Sequence, residues 1–156
     1  MAQRHDSKRL QKMTRIYLVI QVFLVVLLVF MAFRFQAKFS FEGKPQAFTW
    51  GIGLAVVMQL ALFWPIRKFA VYEADREIES SQPNLDLDRV KALRTKRITG
   101  DIVKSAVFVF YLVFLLGMPD KKGISAIIWP VFLSFILTFL TYFQCVAYAL
   151  KKGITK

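Results

Sequence analysis

Apolar residues along this chain collect in long uncharged runs, and the charged residues collect between them. The first run extends from Ile16 to Phe33, interrupted by Gln21, and the second from Phe48 to Ile66, closing at Trp64-Pro65. Each approaches the roughly 20 residues a helix needs to cross a bilayer. The last run, Ile124 to Leu150, is uncharged throughout and long enough to cross with tilt, with Pro130 in its first turns, where a missing amide donor does least harm. The third run, Ser105 to Met118, is the shortest. Adding Ile102 and Val103 extends it to 102–118 and brings in Lys104, whose ammonium can reach the headgroups on its long stem. Alone, a run this short also suits a re-entrant or interfacial helix.

The pattern predicts an all-α membrane protein, a single domain over 1–156 with four transmembrane helices in a bundle. The expected spans are about 16–33, 48–66, 102–118 and 124–150, with a loop over 67–101. Within that loop Glu73, Asp75, Glu77 and Glu79 precede Pro83, and Arg89, Lys91, Arg94, Lys96 and Arg97 follow it. An acidic segment, a proline turn and a basic segment predict a cytoplasmic helical hairpin between helices 2 and 3. Asn84 or Asp86 is placed to cap its second helix, and Gly100-Asp101 to break it from the third span. Phe33, Phe35, Ala37, Phe39 and Phe41 alternate with polar residues, which predicts an extended segment with its rings on one face.

Charge fixes the expected orientation. Lysine and arginine number five before the first run, nine between the second and third, and three after the fourth, which is 17 of the 22. The positive-inside rule then puts both termini and the long loop in the cytoplasm, N-in and C-in, with a bacterial inner (cytoplasmic) membrane as the expected location. The first run is too long for a cleaved signal and no small-residue cleavage site follows it, so a signal anchor is expected. The net charge of +12 has no soluble basic domain to carry it, which disfavours nucleic acid. The expected partners are the bilayer, including anionic headgroups, and a protein partner or a second copy within the membrane.

Candidate chemistry is sparse. One cysteine, Cys145, cannot form an internal disulfide, and the one histidine, His5, lies outside the apolar runs. None of the ten acidic residues lies inside an apolar run, and the loop carboxylates read as surface charges. No catalytic residue, metal site or cofactor is predicted, and an enzyme is disfavoured. Gln21, Gln59 and Gln144 fall at similar depth, roughly 8–11 Å below the boundary at about 1.5 Å per residue. They are expected to form an interior polar cluster, joined by Tyr111. Ser134, Thr138, Thr141 and Cys145 make a weakly polar stripe, and Gly51 with Ala55 a small-residue pair, both suited to close helix packing. The basic residues Arg89, Lys91, Arg94, Lys96 and Arg97 form the candidate docking surface.

Gly100-Asp101-Ile102-Val103-Lys104 is similar to a glycine-acid-x-x-lysine pattern in the four-helix ATP synthase assembly protein I family, whose topology would also fit. The match is five residues long and the loop here is longer than in that family, so no membership is inferred from it. The expected function is a non-catalytic accessory, assembly or anchoring subunit of a larger membrane complex. The alternative is a small homo-oligomeric channel or transporter.

Overall fold

The computed structural model describes residues 2–81, 85–116 and 125–154, with side chains over 10–81, 85–113 and 125–152. They form four helices: α1 (Ala2–Phe41), α2 (Pro45–Ser80), α3 (Leu87–Leu116) and α4 (Ser125–Ile154). No strand occurs among the described residues. Pro83 and Asn84 lie outside them, and the carbonyl of Asp86 accepts from the Val90 amide at 3.0 Å, which places Asp86 at the start of α3.

The turn between α1 and α2 follows from its sequence. Gly43 takes φ +69, a left-handed conformation that glycine adopts without a Cβ penalty. The Lys44 amide donates to the Phe39 carbonyl at 2.9 Å, closing the end of α1. Pro45 then opens α2, where its missing N–H is not needed.

Helix α1 therefore runs through the alternating phenylalanines, and the extended segment expected there is corrected. Phe35 and Phe39 stand four apart, so a helix brings both to one face, and both are buried against Trp129 of α4. With no partner strand, an extended segment would leave its amides unpaired, whereas the helix satisfies them internally.

Helices α2 and α4 form the core and run parallel. Gly51 and Ala55 of α2 meet Trp129 and Leu133, while Ala70 and Ala74 meet Val146 and Leu150 at the other end. Small residues on α2 thus receive large ones on α4, which lets the axes approach closely. A Cβ at Gly51 would collide with Trp129 Cδ1. The indole is fixed there by its Nε1, which donates to the Phe48 carbonyl at 3.1 Å. Helix α1 is antiparallel to α4, with Leu10 packed in the cluster of Leu150.

Three helices are long and apolar enough to cross a membrane: Leu10–Phe41, Pro45–Ser80 and Ser125–Lys152. Within the described residues the uncharged part of α3 runs from Ser105 to Leu116, about 18 Å at about 1.5 Å per residue. Residues 117–118 of the expected third span lie outside the described residues. Gly100-Asp101 does not break the chain, since α3 is continuous from Leu87 to Leu116.

Candidate functional site

The charged parts of α2 and α3 meet in a buried ionic cluster. On α2, Ala70, Glu73, Ala74 and Glu77 recur at helical spacing, and all four are buried together with Arg76. Arg76 Nη2 donates to Glu73 Oε1 at 2.9 Å, and its Nη1 donates to the backbone carbonyl of Lys96 on α3 at 2.8 Å. Lys104 Nζ reaches the same Glu73 oxygen at 3.0 Å and Asp101 at 2.8 Å. Glu73 Oε2 accepts from the Tyr142 hydroxyl of α4. One carboxylate thus ties three helices, and both of its oxygens are engaged.

This arrangement suits clamping better than catalysis. A buried charge is tolerated when paired and hydrogen-bonded, and removing one partner strands the others at high cost. The Lys104 ammonium beside Asp101 holds that carboxyl below the usual carboxylate range. Among the described residues, no three His, Cys, Asp or Glu side chains are grouped to hold a metal.

Two longer ion pairs extend the clamp, Arg97 Nε to Glu77 at 3.9 Å and Arg89 Nε to Glu79 at 3.4 Å. Pairs 73–104, 77–97 and 79–89 step along the two helices in opposite directions, so α2 and α3 are antiparallel. The five predicted docking residues Arg89, Lys91, Arg94, Lys96 and Arg97 are all exposed. Lys91, Arg94 and Lys96 have no carboxylate partner among the described residues.

The four interior polar residues are placed apart, with no hydrogen bond from one to another. Gln59 Nε2 donates to Thr141 Oγ1 at 2.6 Å and the Leu137 carbonyl at 3.4 Å, and its Oε1 accepts from Thr138 at 3.5 Å. The Tyr111 hydroxyl meets Ser134 Oγ at 3.2 Å. Gln21 is half-buried with no partner for its Nε2, and Gln144 is exposed. Equal depth along each axis leaves the rotation of each helix open, and the small polar stripe of α4 takes Gln59 and Tyr111 instead.

The clamp is not evident in the loop sequence, where the carboxylates read as surface charges. Its signal was the helical repeat of alanine and glutamate from Ala70 to Glu77, read together with Gly100. A Cβ at Gly100 would lie 2.9 Å from Arg76 Nη1 and 3.0 Å from Glu73 Oε1, so glycine admits α3 to the cluster.

Long apolar helices and an ionic clamp at one end define a helical membrane protein. Comparison with protein-family models, curated proteins and solved structures gives no match.

Proposed function

We propose that this chain is a non-catalytic membrane subunit that presents α3 as a rigid basic face to a protein partner within a larger complex. The observation that carries this reading is the contrast between the two sides of α3. One side is held on α2 by buried Glu73 and Arg76, while Lys91, Arg94 and Lys96 face outward without carboxylate partners among the described residues. Rigid presentation of unpaired charge lowers the ordering cost of docking an acidic partner. A bundle that crosses four times, with this clamp in the cytoplasm of a bacterial cell, fits the charge bias. Parallel α2 and α4 also favour it, since the chain must return between them and α3 is the helix that joins the two among the described residues.

The homo-oligomeric channel is the weaker reading. Gln59, Thr138 and Thr141 spend their hydrogen bonds on each other, which leaves little to solvate an ion. The test is affinity purification from native membranes with mass spectrometry, using wild type and Lys91→Glu/Arg94→Glu. A co-purifying protein retained by wild type and lost from the inserted double variant is expected. The same partners on both, or a homo-oligomer alone with solute flux in liposomes, would overturn the docking role.

A further inference from the structure

Helices α3 and α4 agree with α2 on where the uncharged part of the fold ends. Lys104 is the last charged residue of α3 before its uncharged stretch, and it pairs with Glu73 at 3.0 Å. Helix α4 stays uncharged to Leu150, which packs in one cluster with Ala74. Arg67 precedes Glu73 by six residues, which places it about 9 Å nearer the hydrocarbon at about 1.5 Å per residue. It is exposed and has no carboxylate partner among the described residues. A guanidinium stays charged under any physiological condition, and at the edge of a bilayer it must reach a polar group.

A groove of about 510 Å³ lies beside it between α2 and α4. Phe63, Val71 and Cys145 form its apolar wall, and Arg67, Asp75 and Lys152 are its charged lining. Asp75 stands two turns beyond Arg67, toward the charged end. Trp64 and Tyr148 flank the groove, 69% and 70% exposed, as amphipathic rings at a membrane interface are. Lys68 lies over the Trp64 ring, 5.2 Å from its centre.

We infer that this groove binds one anionic phospholipid. The planar guanidinium of Arg67 takes two phosphate oxygens in parallel, and an acyl chain lies along Phe63. The charge of Arg67, with no carboxylate partner among the described residues, favours a lipid of net negative charge. The site depends only on α2 and α4, so it is separate from the basic face of α3.

The experiment is native mass spectrometry of the full chain in mild detergent. Phosphatidylglycerol and phosphatidylcholine of matched chains are titrated separately. Wild type should hold one phosphatidylglycerol at least tenfold more tightly than phosphatidylcholine. Arg67→Gln should fall to the phosphatidylcholine level, Arg67→Lys should keep part of the preference, and Lys91→Glu/Arg94→Glu should keep all of it. Equal retention of the two lipids by wild type would overturn the site whatever the variants do. So would unchanged phosphatidylglycerol binding in Arg67→Gln, or an equal loss in the α3 double variant, which would mean that net charge alone is being read.

Discussion

Gly100 of α3 faces Arg76 of α2 so closely that a Cβ would lie 2.9 Å from Nη1. That nitrogen is not free to swing aside, because it donates to the Lys96 carbonyl at 2.8 Å from a buried side chain. Glycine in a helix interior normally costs roughly 0.5–1 kcal/mol relative to alanine, so Gly100→Ala should gain that amount. Overpacking a filled interface costs about 1–3 kcal/mol. The clash outweighs the propensity, and Gly100→Ala should lower stability in detergent by about 1 kcal/mol. Equilibrium unfolding in mixed micelles reads the sign; a stabilised variant would mean that α3 does not close on α2 as described.

Glu73 and Tyr142 should be coupled. Glu73→Gln leaves buried Arg76 beside a neutral amide while Lys104 keeps Asp101, a change toward the low end of the about 3–5 kcal/mol for broken buried pairs. Tyr142→Phe removes one donor from a charged acceptor, worth about 1.5–3 kcal/mol. Because both act on one carboxylate, the double variant should lose less than the sum, by about 0.5–3 kcal/mol. Strict additivity in a double-mutant cycle would separate the tyrosine from the clamp.

Hydropathy made the long helices legible, because a bilayer helix has to be apolar along its length whatever it packs against. The acidic-then-basic order around Pro83 likewise pointed to α2 and α3 pairing their charges. Burial within that pairing was not legible. Charged residues in a loop usually face water, and only the three-helix contact at Glu73 shows that Glu73, Arg76 and Glu77 do not. The phenylalanines from Phe33 to Phe41 admit both a two-residue and a four-residue period. The choice between them rests on Trp129, some ninety positions away. For Gln21, Gln59 and Gln144, counting residues gave depth but not rotation, and rotation decides partners.

Gln59 should matter little to stability. Hydrogen bonds between membrane helices average about 0.6 kcal/mol, so Gln59→Leu should cost no more than about 1–2 kcal/mol even with Thr138 and Thr141 left to solvate themselves. Unfolding of the variant alongside wild type checks this. A loss well above that range would give the glutamine a structural weight that its two threonine contacts do not explain.

The path of α3 carries the last prediction. Helix α2 starts beside Trp129 and ends past Glu73, and α4 starts before Trp129 and ends beside Ala74. Two successive crossings in the same direction need a return between them. Lys104 sits at the Glu73 level and Tyr111 meets Ser134 of α4, so the uncharged half of α3 heads back along the bundle from the charged end. Its uncharged length is short of the roughly 30 Å hydrocarbon core, but the Lys104 stem and local thinning of the bilayer can close the gap at modest cost. Reporter fusions after Ser80 and after Lys156 should therefore report the same compartment, the cytoplasm. Opposite compartments would leave α3 on one surface of the membrane, and α2 and α4 could then no longer run parallel.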